Sequence, residues 1–370
     1  MNTTMSYYMP TKVIMGVGCI KDNVAVFEGM GRKALLVTGR TSAKKNGSER
    51  DVTEVLSSVG IEYLVYDQVT SNPTIDCVYE GARVAKEFGA EFVVSIGGGS
   101  PMDAGKGIAL LAAQEVSREN LFSGKYENKV LPMIHVPTTA GTGSEVTQYA
   151  ILTNDAAKTK TSIASEVIFP KVAFLDPTYM KSLSHTTTVN TTVDALSHAV
   201  EGMLSIRVTE ITNALALDSI AKIVECYEDL KAGTLSLEQR GALLYASMVA
   251  GIVIAHTGTT AVHSMGYSLT YFKDIDHGRA NGLLMANFFR VVAKEKPEEI
   301  KKVLDGMKLA SIEAFEDWMD ELLGEKEMLT LEEIEEFSEI AMKAKNIPNC
   351  KVVPTLEDVK KVYINSFIKN

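Results

Sequence analysis

The sequence predicts an α/β N-terminal domain, built on a doubly wound parallel sheet, followed by an all-α C-terminal domain. Three observations carry this. Apolar strand-like runs begin near residues 34, 61 and 91, a repeat of about thirty residues that matches one βαβ unit. After about Leu183 such runs cease and long helical patterns replace them. The chain has 370 residues, whereas a single hydrophobic core stops growing near ~250–300 residues.

In order, residues 34–38 (ALLVT) read as a strand, and 50–59 as a helix that stops at Gly60. Residues 61–66 (IEYLVY) are β-rich, and 75–88 are helical up to Gly89. Residues 91–96 (EFVVSI) form the next strand and 103–113 the next helix, with further strands at 131–136 and 172–175. Helical spacing then covers 190–204, 208–230, 237–256, 259–270, 281–294, 298–323, 330–344 and 355–368. Asp176-Pro177 and the run SLSHTTT mark the boundary, which gives domains 1–184 and 185–370.

Apolar residues are 46% and charged residues 23% of the chain, which excludes a disordered protein. The net charge of -10 argues against nucleic acid or an anionic membrane as partner, since either would want a basic face. The longest apolar stretch, residues 242–255, is short of the ~20 residues of a bilayer span. The N-terminus, MNTTMSYYMPTK, has no secretory apolar core. Four scattered cysteines, Cys19, Cys77, Cys226 and Cys350, read as thiols of a reducing compartment. The expectation is a soluble, cytoplasmic protein.

Two loops invite an anion. Gly97-Gly98-Gly99-Ser100-Pro101-Met102-Asp103 follows a strand and opens a helix, with Ser100 placed to cap it and Asp103 to complete a capping box. Free N–H groups and the helix dipole there suit a diphosphate. The loop is neither a G-x-G-x-x-G fingerprint, which fails at Met102, nor a Walker loop. A second hydroxyl-rich loop, residues 137–144 (PTTAGTGS), follows the strand at 131–136. Together they suggest an extended ligand such as a dinucleotide.

Among the six histidines, three combine with one acid. Asp194 and His198 are spaced i, i+4 on one helix face. His263 and His277 are 14 residues apart, ~21 Å along an unbroken helix, so the chain must turn back between them; Asp274, Asp276 and Gly278 make a break there plausible. One carboxylate and three imidazoles suit Fe2+ or Zn2+ with a position left for a substrate oxygen. His135 and His185 receive no role.

The segments GGGSPMDAGKGIA, PTTAGTGSEVT, DALSHAVEG and AVHSMGYSLTYFKDIDHGRANGLLM resemble the iron-containing (group III) alcohol dehydrogenases, in order and spacing from about residue 8 to 368. The closest members in kind are the 1,3-propanediol and butanol dehydrogenases. The resemblance implies hydride transfer between NAD(P) and a small primary alcohol, diol or aldehyde. It implies metal ligation by Asp194, His198, His263 and His277. It implies cofactor contacts from Asn72, Gly97, Gly98, Gly99, Ser100, Asp103, Thr138, Thr139, Thr142 and Lys160, and a homodimer or higher homo-oligomer. Where many members carry a second His after His263, this chain has Tyr267; it and His256 are the side-chain candidates for a proton relay. Where NAD-specific members carry an acid after the first central strand, this chain has Gly39, followed by Arg40, Ser42, Lys44 and Lys45. Gly39 and Ser42 therefore join the cofactor candidates, and NADP(H) is expected over NAD(H). The rival reading is a metal-dependent lyase or cyclase of the dehydroquinate synthase type, which shares the two-domain plan and needs a basic substrate pocket.

Overall fold

Strand β1 (Lys12–Met15), β2 (Lys33–Gly39), β3 (Glu62–Val69), β4 (Phe92–Gly97) and β5 (Met133–Pro137) are followed by a hairpin, β6 (Tyr149–Asn154) and β7 (Thr159–Ala164), and by β8 (Val172–Leu175). The computed structural model describes residues 5–368. Six strands form one sheet in the order β1-β8-β5-β4-β2-β3, and every neighbouring pair is parallel. Helices α1 (Ala25–Glu28), α2 (Ser42–Asn46), α3 (Ser48–Ser58), α4 (Ile75–Phe88) and α5 (Gly99–Ala113) connect them. A sheet covered on both faces needs strands apolar on both faces, and all six residues of β4, FVVSIG, are buried. Leu35, Val37, Val93 and Met133 pack with α4 and α5 on one face. Leu36, Val94, Ile134 and Phe174 pack with Val52, Val55 and Leu56 of α3 on the other.

Local signals set the element ends. Thr74 caps α4 by accepting from the Cys77 N–H, and Gly89, left-handed at φ 74, closes it. The chain runs outward from β2 to β3 and returns to β4 on the other side of β2. The winding reverses there, and open α/β sheets bind ligands at the carboxyl ends flanking such a point. Those ends are Gly39 and Gly97.

The helical part comprises α6 (His185–Met203), α7 (Glu210–Glu225), α8 (Tyr227–Ala232), α9 (Leu237–Thr257), α10 (Ala261–Lys273), α11 (His277–Ala293), α12 (Pro297–Met307), α13 (Ile312–Leu323), α14 (Leu331–Met342) and α15 (Leu356–Phe367). Among the described residues α9 alone is long and apolar enough to cross a membrane, and most of it is buried within the fold, as in the core helix of a globular protein.

Several expectations need correction. The helix expected from 103 starts at Gly99, with Gly98 as its N-cap and no side-chain cap, so Ser100 does not cap it and Asp103 completes no capping box. The helix expected at 208–230 breaks at Cys226, and that at 298–323 breaks at Lys308, left-handed at φ 58. By internal contacts, Met9–Leu183 groups with Ser236–Leu244, while Ser184–Leu235 groups with the chain from Tyr245 onward and with the described residues before Met9. The two units are thus interleaved in sequence, not divided by one cut.

Candidate functional site

Asp194 and His198 face the same way from α6, and His263 lies in the first turn of α10. The chain then turns at Asp274, left-handed at φ 53, and Asp276 caps α11 by accepting from the Gly278 N–H. This places His277 at the first position of α11. Gly278 lets α11 approach α6: a methyl there would lie 1.8 Å from the Asn190 carbonyl oxygen and 3.0 Å from Asp194 Cβ. The outcome is a cluster from three helices. Asp194 Oδ1 lies 3.9 Å from the Nε2 atoms of His198, His263 and His277 alike. Asp194, His263 and His277 form the tightest group, and His198 stacks on His263 with ring centroids 4.8 Å apart. Asp194, His198 and His263 are buried; His277 is partly exposed. Three imidazole nitrogens converging on one carboxylate oxygen fit a divalent cation with bonds of ~2.0–2.2 Å.

Glu201, one turn beyond His198, is fully buried. Its Oε2 takes the His263 Nδ1–H, and its Oε1 accepts from Thr260 N at 2.8 Å and Thr260 Oγ1 at 2.6 Å. Burial pushes the Glu201 carboxyl up, but His263 and the Thr260 donors outweigh it and hold it below its usual value. With Nδ1 committed, His263 presents Nε2 to the cluster. Asn281, one turn after His277, donates from Nδ2 to Asp194 Oδ1 at 3.2 Å.

The cofactor candidates gather at the switch point. Asn72 N donates to Ser100 Oγ at 3.2 Å, and the Asn72 carbonyl accepts from Thr153 Oγ1 at 3.0 Å. Thr138 N donates to the Gly97 carbonyl at 2.9 Å. A methyl on Gly98 would lie 3.1 Å from Thr139 Oγ1, and one on Gly99 would lie 2.7 Å from Thr142 Cγ2. The two loops therefore lie close at these glycines, where a side chain would press on Thr139 and Thr142. Lys160 lies on β7 opposite Thr153. Gly39 ends β2, and Ser42 opens α2.

The chain matches the family pattern described as iron-containing alcohol dehydrogenase over residues 10–177, and the C-terminal pattern of the same family over residues 188–367. The chain belongs to the iron-containing alcohol dehydrogenase family. It is 34% identical to the 1,3-propanediol dehydrogenase of Citrobacter freundii over 75% of this chain and 72% of that protein. It is 31% identical to the NAD-dependent methanol dehydrogenase of Bacillus methanolicus over 78% and 77%. The crystal structure of an iron-containing alcohol dehydrogenase from Thermotoga maritima is similar with a TM-score of 0.92 and 37% identity, covering 98% of this chain and 99% of that one. The protein is thus an alcohol dehydrogenase of the iron-containing class.

Within this dehydrogenase, two expected roles change. Asp103 is buried below the glycine loop, where it accepts from Ser144 Oγ at 2.6 Å and Ile151 N at 3.0 Å; it buttresses the loops from within and offers the ligand no oxygen. His256 is held in packing: Nδ1 pairs with the Ile252 carbonyl, Nε2 accepts from Tyr8 N at 3.1 Å, and the ring stacks on Tyr7. Both nitrogens are spent, so His256 is withdrawn as a relay. Tyr267 stays beside the cluster, stacked on His277 with centroids 5.4 Å apart. Arg279 turns to Glu327, with Nε 2.7 Å from Oε1, and to the carbonyls of Leu323 and Glu325. The sequence reading missed Glu201 and Asn281. Asp194, His198 and Glu201 are spaced i, i+4, i+7, and that spacing was the available signal.

Proposed function

We propose that this alcohol dehydrogenase interconverts small neutral primary alcohols or diols and their aldehydes with NADP(H) in preference to NAD(H), using Fe2+ or Zn2+ held by Asp194, His198, His263 and His277. The convergence of three imidazole nitrogens on Asp194 Oδ1 carries this reading. When bound, the ion supplies Lewis acidity to the substrate oxygen, and the nicotinamide supplies the hydride chemistry. The chain's own residues hold and orient: Glu201 fixes the His263 ring, Asn281 fixes the Asp194 carboxylate, and the two glycine-spaced loops cradle the dinucleotide. Tyr267, whose ring stacks on His277, is the side chain we propose as proton relay.

Substrate charge follows from what surrounds the ligands. No Lys or Arg lies within four residues of Asp194, His198 or His263, and Arg279 is committed to Glu327. A carboxylate entering such a site sheds hydration without a side-chain cation to receive it. The same observation disfavours the dehydroquinate synthase type of reaction, whose substrate carries phosphate and carboxylate. Among the relatives, those named for methanol and 1,3-propanediol point to neutral, short substrates, whereas others are named for choline and sulfoacetaldehyde, so neutrality rests on the sequence argument alone.

The preference for NADP(H) rests on β2 ending at Gly39 with no carboxylate for a ribose hydroxyl, followed by exposed Arg40 and Lys45. Lys44 is paired with Asp67 at 2.7 Å and contributes less. The thiols of Cys19, Cys77, Cys226 and Cys350, none of them in a disulfide, accord with a cytoplasmic protein, and a homodimer is the oligomeric state we propose. The test is a steady-state assay of protein loaded with Fe2+ or Zn2+, with butanol, 1,3-propanediol, lactate and the matching carbonyl compounds against both cofactors. Turnover of the neutral alcohols with a higher kcat/KM for NADP(H) is expected. Gly39→Asp, which meets only ordinary contacts at Val69 O and Ser42 Oγ, should lower that cofactor ratio about tenfold if ~1.4 kcal/mol changes sides. Faster turnover of lactate, or none with metal present, would overturn the reading.

A further inference from the structure

Helix α10 opens without the cap its sequence offers. Thr260 stands at the N-cap, where a threonine hydroxyl ordinarily accepts from an N–H in the first turn, yet it makes no such bond. Its Oγ1 instead donates to Glu201 Oε1 at 2.6 Å. The same oxygen accepts from Thr260 N at 2.8 Å and lies 3.4 Å from His263 N, in the first turn of the helix. Glu201, reaching across from α6, therefore caps α10 in place of the hydroxyl, at the helix end that favours a carboxylate. The place of that helix end decides how Glu201 Oε2 meets the His263 ring.

Asn349 fixes this end of α10 from a third segment. It closes a short 3-10 turn, Ile347–Asn349, and is buried. Its Nδ2 donates to the carbonyls of Thr257 and Thr259, both at 2.8 Å, and its Oδ1 accepts from Ser205 Oγ at 3.0 Å. A side-chain amide has two donor protons, and both are spent on the turn that joins α9 to α10. Ser205 lies just past the end of α6, and its Oγ is also 2.9 Å from the Thr257 carbonyl. The backbone repeats the tie: Ile206 N donates to the Asn349 carbonyl and Lys351 N to the Leu204 carbonyl, each at 2.9 Å. Asn349 packs directly on the turn, since a methyl on Gly258, left-handed at φ 65, would lie 3.2 Å from its Nδ2. It thus bridges the helix that carries Asp194, His198 and Glu201 to the turn that delivers Thr260 and His263.

We infer that Asn349 is a positioning residue for His263, acting through the α9–α10 turn, Thr260 and Glu201. This rests on the reading of Asp194, His198, His263 and His277 as metal ligands. The route has three links: Asn349 to the Thr257 and Thr259 carbonyls, Thr260 to Glu201, and Glu201 to His263 Nδ1. A carboxylate held in one place keeps the proton on Nδ1 and leaves Nε2 as the donor atom. An apolar side chain of the same volume at position 349 would fill the space but leave two carbonyls of the turn without their donors. The turn would then shift toward other partners and carry Thr260 with it.

The test is a double-mutant cycle read as Zn2+ affinity by chelator competition, on the wild type, Asn349→Leu, Glu201→Gln and the pair. Asn349→Leu should weaken Zn2+ binding about tenfold, the lower end of the loss when an outer partner of a ligand is removed. In the Glu201→Gln background the same substitution should weaken it by less than about twofold more, because the route is already cut. Co2+ bound in place of Zn2+ reports ligand geometry through its visible absorption bands, which should shift in Asn349→Leu. Ser205→Ala removes one partner of the amide and should weaken Zn2+ binding about threefold, as for one hydrogen bond. It carries the test should Asn349→Leu fail to fold. Folded variants that melt earlier but keep wild-type Zn2+ affinity and Co2+ bands would overturn the inference. Losses that multiply in full in the double variant would overturn it too, since Asn349 would then act by another route. A wild type that binds no Zn2+ would overturn the reading of the metal site, and this inference with it.

Discussion

Glu201 decides which nitrogen His263 offers. Its two oxygens have different duties: Oε1 serves Thr260 and Oε2 serves the imidazole. Glu201→Gln keeps the size but has only one acceptor. If that oxygen stays with Thr260, the amide NH2 faces Nδ1, which must then accept, and the ring proton moves to Nε2. A protonated Nε2 is no ligand. Metal affinity should fall about 10- to 100-fold, as is typical when a partner of a ligating histidine is lost. Chelator competition with Zn2+ measures it, and an unchanged dissociation constant would show that Glu201 does not set the tautomer. At this scale the pairing of Asp194 and His198 was readable in the sequence, because i, i+4 spacing on a helix is a geometric statement. Asn349 was not read: a lone asparagine after Pro348 looks like a turn residue until its partners, 90 to 144 residues earlier, are seen.

Helices α6 and α11 meet through a glycine, and the ligand cluster depends on that contact. With a methyl 1.8 Å from the Asn190 carbonyl, Gly278→Ala cannot be accommodated by a side-chain rotation, because the obstacle is backbone. The start of α11 must move off α6 and carry His277 with it. Overpacking of this kind costs typically ~1–3 kcal/mol. The melting temperature should drop and metal content should fall together; full metal occupancy at wild-type stability would contradict the close approach. Elements with long apolar or amphipathic periods were legible, such as α4, whose observed span is 75–88. The hairpin β6–β7 escaped because its second strand, TKTSIA, is largely half-buried and mostly polar. The start of α6 at His185 escaped because the threonine-rich run that follows has low helix propensity, and the Ser184 cap outweighs it. At the break the left-handed residue is Lys308 itself, while the nearby Gly306 stays helical, so the glycine does not mark the turn.

For the molecule as a whole, length and the change of pattern near Leu183 were enough to foresee an α/β part and a helical part. They could not foresee that residues 236–244 group with the first part, because that stretch reads as nothing more than the start of an apolar helix. On the proposed function the two ligands fall to different units: the proposed metal donors come from α6, α10 and α11, and the proposed cofactor loops from the segments after β4 and β5. A ligand that binds only the folded state stabilises it by RT ln(1 + [L]/Kd), about 2.7 kcal/mol at a hundredfold excess over Kd. Amide exchange that requires the binding segment to open should slow by the same factor, up to about a hundredfold. Hydrogen exchange followed by mass spectrometry should therefore show Zn2+ protecting the peptides of α6, α10 and the start of α11. NADPH should protect 97–113 and 138–147. Because Asp103 of α5 accepts from Ser144 and Ile151, within and just beyond the second of these segments, both should gain protection together. If Zn2+ alone slowed exchange at 97–113 as much as at α6, the assignment of each ligand to its own unit would fail.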